Sequence, residues 1–286
     1  MGRRSPARSS VTDSLAAVPL YQGLILGIVQ GLSEFLPISS SGHLVLVPFI
    51  VGWRQPTVAF IVAVHLGTTL SILWVFRERI AELVRSLFGL GNPADRRFVG
   101  LIAIGTVPAA LIGAIFHSQV DRVFERPVII SFLLGGTAWI LLSAESHYEK
   151  RDQGKIRDER MMTPADAGII GAAQAVAILP GISRSGSTIA AAMVRGLSRE
   201  TAAKFSFLMA IPIILGATVV KIPDMVREGA SGSAGAMVIG VIASAVVGVM
   251  SIRAMLSIVT RRGFRPFAVY CLFAMTAGIL TALARG

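Results

Sequence analysis

Long apolar runs alternate with short charged or glycine-rich interruptions along the whole chain. Six runs, at about 57–76, 98–116, 127–144, 204–222, 234–252 and 266–284, are long enough to cross roughly 30 Å of hydrocarbon as helix. Two other segments, 14–53 and 164–196, are apolar at their ends and broken by polar, Gly/Pro-containing middles. Their second arms are short, about ten residues, which predicts re-entrant helix–loop–helix pairs that enter and leave on one side. The expected fold class is an all-α polytopic integral membrane protein with six transmembrane helices and two re-entrant pairs.

The two interrupted segments match each other. Aligning Gln30 with Gln174, an offset of 144, puts Ile38-Ser39-Ser40-Ser41-Gly42 on Ile182-Ser183-Arg184-Ser185-Gly186. FLP (35–37) and ILP (178–180) precede them, one residue out of phase, and Ala59 falls on Ala203. Each half is then one re-entrant pair followed by three spans. Three is odd, so the second half enters the membrane upside down, and the arrangement is an inverted-topology repeat. The expected organisation is a basic, disordered tail (1–13) and a single membrane domain (14–286). Within that domain repeat 1 covers about 14–144, a charged cytoplasmic loop 145–163, and repeat 2 about 164–284.

Composition agrees with the pattern: 53% of the 286 residues are hydrophobic and 15% charged, with a mean hydropathy of +0.71. Soluble domains carry about 25% charged residues. The net charge of +11 does not indicate nucleic acid, because the Arg and Lys sit in short inter-helix loops. Seventeen of the 27 fall in loops 77–97, 145–163, 195–204 and 253–265, nine fall on the other side, and Arg184 lies in the second interruption. The richer side is expected to be cytoplasmic. Both termini and the mouth of the first pair then face outward. The single cysteine, Cys271, excludes an internal disulfide and a cysteine metal cluster. A secretory signal is rejected, since the first apolar run holds Gln22 and Gln30 and no small-x-small cleavage site follows.

The interruptions carry the chemistry. Gln30 and Glu34 share a helix face one turn before the polar stretch PISSSGHL (37–44). An intramembrane carboxylate points to function. His43, Ser39, Ser40 and Ser41 add a proton acceptor and hydroxyls within nine residues of Glu34, with Gly42 beside them. The second loop, PGISRSGST (180–188), holds Arg184, a permanent cation suited to phosphate oxygens, among Ser183, Ser185, Ser187 and Thr188. Gly181 and Gly186 let backbone N–H groups approach an anion, and a helix restarting there adds its dipole. If the two tips meet, the pocket suits the head of a phosphorylated lipid.

QGLSEFLPISSSGHL and PGISRSGST closely resemble the two signatures of the undecaprenyl-diphosphate phosphatases, the bacitracin-resistance family of bacteria. The resemblance covers about residues 15–284 in motif order, spacing and span pattern. It implies hydrolysis of undecaprenyl diphosphate to the monophosphate at the outer face of the bacterial inner membrane, which recycles the carrier for peptidoglycan synthesis. It also implies a divalent cation, Mg²⁺ or Ca²⁺. By position, Glu34 matches the catalytic or metal-associated carboxylate, with Gln30 as its companion. Ser40 matches the proposed nucleophile, His43 the proton-moving histidine, and Ser183 with Arg184 the diphosphate-binding pair. Gln30 stands where many members have glutamate, so the coordination of the metal is in question. The expected partners are undecaprenyl diphosphate and membrane lipid, with no nucleic acid and a homodimer left open.

Two other functions share parts of these motifs. Lipid phosphatases of the phosphatidic-acid type need a second histidine as nucleophile. The four histidines here are 43, 65, 117 and 147, and none follows Arg184. A polyprenyl-phosphate transporter or flippase would use the same inverted-repeat anion site. It has no need of a serine beside a proton acceptor. The residues leave open whether Ser40 or water attacks phosphorus, and whether Glu34 or His43 takes the proton.

Overall fold

The computed structural model describes residues 18–151, 156–228 and 233–285. The expected basic tail lies outside them. Among the described residues the regular structure is helical apart from one isolated bridge, Arg157 to Leu197. Six helices are long and apolar enough to cross a membrane: α3 (Val58–Val75), α5 (Pro93–Phe124), α6 (Pro127–Glu149), α9 (Arg199–Glu228), α10 (Ala234–Arg262) and α11 (Arg265–Arg285). They coincide with the six expected runs and extend most of them by a turn or more.

The interrupted segments form two helix pairs. The first is α1 (Leu20–Phe35) with α2 (Ser40–Val51); the second is α7 (Pro164–Val176) with α8 (Arg184–Val194). Their returning arms have 12 and 11 residues, about 18 Å or less, too short to span. Each pair also closes at its own mouth. Tyr21 at the start of α1 meets Trp53 beyond the end of α2, with ring centroids 5.7 Å apart. Asp166 at the start of α7 accepts from Arg195 Nε, just past α8, at 2.8 Å. Both segments therefore enter and leave on one side.

Local signals set the ends. Thr57 and Asn92 cap α3 and α5, and Pro93 occupies the first turn of α5. A reciprocal Thr163–Asp166 box opens α7. Gly52, at φ 80°, stops α2. Helix α4 (Arg77–Leu87) falls in a stretch read from sequence only as a loop. It is amphipathic, burying Leu83 and exposing Arg77 and Glu78. Apolar-run counting passes over such a helix because half its residues are polar.

The loops expected on one side do lie together. Arg79 on α4 bonds Asp95 at 2.7 Å and also pairs with Glu159. Arg157 exchanges backbone bonds with Gly196 and Ser198. Glu145 accepts from Arg199 and from the Phe264 amide. On the opposite side Lys221 pairs with Asp121, and Arg285 reaches Ile50 O.

Helix packing follows the repeat. At the 144-residue offset α1, α2, α3, α10 and α11 correspond to α7, α8, α9, the position of α5, and α6. Helix α1 packs on α10 as α7 packs on α5, and α6 packs on α11 between the halves. Glycines let the first two pairs approach closely. A Cβ at Gly27 would lie 2.5 Å from Gly240 O, and one at Gly171 would strike Gly105 O.

Candidate active site

The two hairpin tips meet in the protein interior. The last turns of α1 put Gln30 and Glu34 on one buried face, with Gln30 Nε2 donating to Glu34 Oε2 at 3.0 Å. Pro37 then breaks the helix. Ser39 carries φ 70°, the one positive φ of a non-glycine among the described residues, and caps α2 by accepting from Gly42 N. This sharp turn brings Ser40 back onto α1. Its hydroxyl donates to Glu34 Oε2 at 2.6 Å, across only six residues.

The second tip is clamped onto the first by backbone and hydroxyl bonds. Gly181, at φ 102°, donates its N–H to Ser39 Oγ at 3.1 Å. Ser185 Oγ donates to Leu36 O at 3.2 Å. Thr137 on α6 braces the loop from behind, donating to Gly181 O at 2.7 Å and accepting from Ser183 N at 2.9 Å. Gly42 sits so close that an added Cβ would be 3.1 Å from Gly181 Cα. The clamp delivers Arg184, whose Nη2 meets Glu34 Oε1 at 2.5 Å and whose Nη1 reaches Ser206 O at 3.3 Å.

Ser40, Glu34, Gln30 and Arg184 are thus one connected group. The other residues singled out from sequence are placed differently. His43 has both ring nitrogens engaged, Nδ1 with Ser39 O at 2.8 Å and Nε2 with Tyr270 OH at 2.9 Å. Of the two proton acceptors left open, Glu34 is the one that receives the Ser40 hydroxyl. Ser39, Ser183, Ser185 and Thr188 spend their hydroxyls on protein partners; Thr188 meets Ser206 Oγ at 2.6 Å. Ser41 contacts Ser39 Oγ, and Gly186 donates to Ser183 Oγ at 3.0 Å. Ser187 lines a separate groove of about 500 Å³ with Trp139, His147 and Val194.

Sequence reasoning missed His65, Thr137, Ser206 and Tyr270. His65 Nε2 lies 3.7 Å from Glu34 Oε2, while its Nδ1 faces Ile61 O at 2.8 Å. The polar trio of His65, Thr68 and Thr69 inside a largely apolar span was the available signal. Tyr270 stacks on the His43 ring from the last helix, 227 residues away, and nothing local marks it.

The donor set can be tested against a divalent cation. Among the described residues no three His, Cys, Asp or Glu side chains form a metal-binding group. Glu34 is the carboxylate present at the tips, and both its oxygens have partners. Beside it Gln30 Oε1 is buried and has none. A carboxylate and an orphaned amide oxygen fit part of a Mg²⁺ or Ca²⁺ shell, the remainder coming from phosphate oxygens and water.

Comparison with known proteins identifies the family. The profile of bacitracin resistance protein BacA matches residues 23–277. The chain belongs to this family. An undecaprenyl-diphosphatase of Pelotomaculum thermopropionicum is 40% identical over 93% of this chain and 98% of its own. One from Geobacter metallireducens is 41% identical over 92% and 97%. The undecaprenyl-diphosphatase 2 of Stutzerimonas stutzeri is 38% identical over 88% and 94%. The BacA match takes in both hairpin tips and therefore every member of the Ser40–Glu34–Arg184 group.

Proposed function

We propose that this BacA-family protein hydrolyses undecaprenyl diphosphate to undecaprenyl phosphate and inorganic phosphate. The observation that carries the mechanism is the Ser40–Glu34–Arg184 group, in which a hydroxyl, its proton acceptor and a guanidinium meet within hydrogen-bond distance. Arg184 takes the oxygens of the terminal phosphoryl group in its planar fork. Ser40 Oγ attacks that phosphorus and passes its proton to Glu34 Oε2. The bridging P–O bond breaks, and its electron pair leaves on undecaprenyl phosphate. Water then attacks the phosphoserine, and Glu34 returns the proton to Ser40 Oγ as inorganic phosphate departs. His43 acts through Ser39 O, steadying the strained turn that presents Ser40. Glu34 and Gln30 Oε1 would hold a divalent cation, which would supply positive charge to the phosphoryl group.

The lipid tail needs an apolar surround, which the lipid-facing helices provide. The positive-inside bias supports a bacterial inner membrane with its cytoplasmic side at the basic loops tied together by the mouth of the second hairpin. The first hairpin then opens toward the periplasm, where diphosphate carrier is released by polymer synthesis.

Purified protein in detergent, supplied with farnesyl diphosphate and Mg²⁺ or Ca²⁺, should release inorganic phosphate. Folded protein that releases none defeats the enzyme reading and leaves a binding or transport role. Ser40→Ala should lose at least about 10³ in rate. A variant retaining most of its activity would mean that water attacks directly and Ser40 only binds phosphate.

A further inference from the structure

The Glu34–Arg184 pair occupies the site before any ligand arrives. Its N–O distance is 2.5 Å, and the two side chains are 5% and 14% exposed. Glu34 Oε1 is held by that guanidinium, and Oε2 accepts from both Ser40 and Gln30. A dication that captured Glu34 alone would leave Arg184 without its anion in a largely dry place. The site would then hold uncompensated positive charge. A diphosphate that captured Arg184 alone would leave the Glu34 carboxylate facing phosphate oxygens of like charge. Either ligand by itself exchanges one good pair for one good pair and a stranded charge.

Both together change the outcome. Arg184 turns to phosphate, Glu34 turns to the cation, and every charge keeps an opposite neighbour. Gln30 Oε1, buried and without a partner, is a second oxygen ready on the protein side. We infer that the Arg184–Glu34 ion pair makes the site accept cation and diphosphate only jointly, each strengthening the binding of the other. The metal is a co-ligand of the substrate, with no resident place in the free protein. This rests on the reading above that Arg184 and Glu34 receive the diphosphate. By linkage the two strengthening factors must be equal.

Equilibrium dialysis of the full chain in detergent, with Mn²⁺ and methylenediphosphonate as probes, tests this. The P–C–P bridge cannot be hydrolysed, and the probe has no lipid tail to enter micelles. Protein-free dialysis corrects for the complex the probes form in solution. Each probe should tighten the other by at least about tenfold, by the same factor in both directions. In Glu34→Gln, Arg184 loses its competing anion. Diphosphonate alone should then bind more tightly than it does to the unaltered protein, and Mn²⁺ should change that by less than about twofold. Stoichiometric Mn²⁺ binding without diphosphonate overturns the inference. So does equal diphosphonate binding with and without Mn²⁺, or failure of active protein to retain the pair. Phosphate release by the same preparation is measured alongside: activity without coupling rejects the joint-binding rule and leaves the catalytic assignment standing.

Discussion

Ser39 and Ser183 stand 144 residues apart and cap the returning arms of the two hairpins, yet their backbones differ. Ser183 is relaxed, at φ −71° and ψ 120°. Ser39 is left-handed, at φ 70° and ψ 95°. The cause is loop length. Residues 36–39 connect α1 to α2, whereas residues 177–183 connect α7 to α8. The longer loop places its left-handed turn on Gly181, where no Cβ objects. The shorter one forces it onto a serine, a strain of order 1–3 kcal/mol. The strained serine immediately precedes Ser40 and is held by the Gly181 and Gly42 amides. A duplicated hairpin has divided its labour: the tight copy presents hydroxyl and carboxylate, and the slack copy supplies the arginine and clamps the first.

The mouths differ as well. The first closes with Tyr21 and Trp53. The second closes on Asp166, which takes two bonds from Arg157, one from Arg195 and two from Thr163. Aromatic rings suit a mouth at a lipid interface, and charge pairs suit a mouth packed under basic loops.

Among changes that compare the two hairpins, the largest effect is expected at the arginine. Arg184→Lys keeps the charge but loses the fork, and should cost about 10²–10³ in kcat/KM for phosphate release. Near-normal turnover would show that the second hairpin contributes only a point charge. Next comes the mouth of the second hairpin. Asp166→Ala should lower stability in detergent by about 2 kcal/mol, below the 3–5 of a fully buried pair because Arg195 is 39% exposed. Trp53→Ala should cost about 1 kcal/mol or less, and equal losses in thermal unfolding would make the two mouths interchangeable. Asp166 also sets an acid response. Burial opposes its charge, but the bonds from Arg157, Arg195 and Thr163 outweigh that and hold its pKa well below the usual carboxylate range. Its contribution is therefore present above the unfolded carboxylate pKa of about 4 and is lost as pH falls through the folded value.

Smaller effects probe the tips. Ser39→Ala keeps the left-handed backbone and loses the acceptor for two amides, whereas Ser183→Ala loses the acceptor for one. Ser39→Ala should be the more destabilising by about 1 kcal/mol, and the reverse order in denaturant titrations would show that the two amides do not hold the first tip. The smallest change is His65→Leu. Its 3.7 Å contact with Glu34 at 22% side-chain exposure should be worth under about 1 kcal/mol, hence under about fivefold in kcat. A larger fall would give His65 a share in moving the Ser40 proton.

What the sequence by itself determined is the membrane architecture. In hydrocarbon each backbone group must be satisfied within its own segment, so run length and polarity dictate spans and interruptions. The paired interruptions, the side grouping of the basic loops, and Glu34 and Arg184 as the charges at membrane depth were legible for that reason. The amphipathic α4 was not, because its polar face hides it from a hydropathy reading. Nor could sequence choose between His43 and Glu34 as neighbour of Ser40. Both stand a few residues from Ser40, and the choice turns on the left-handed Ser39, which local composition does not announce. His65 and Tyr270 come from α3 and α11, and only helix packing brings one to Glu34 and the other to His43. Tertiary structure decided these because side-chain contacts across the repeat depend on how deeply the two tips interlock, a distance of a few ångströms that no periodicity encodes.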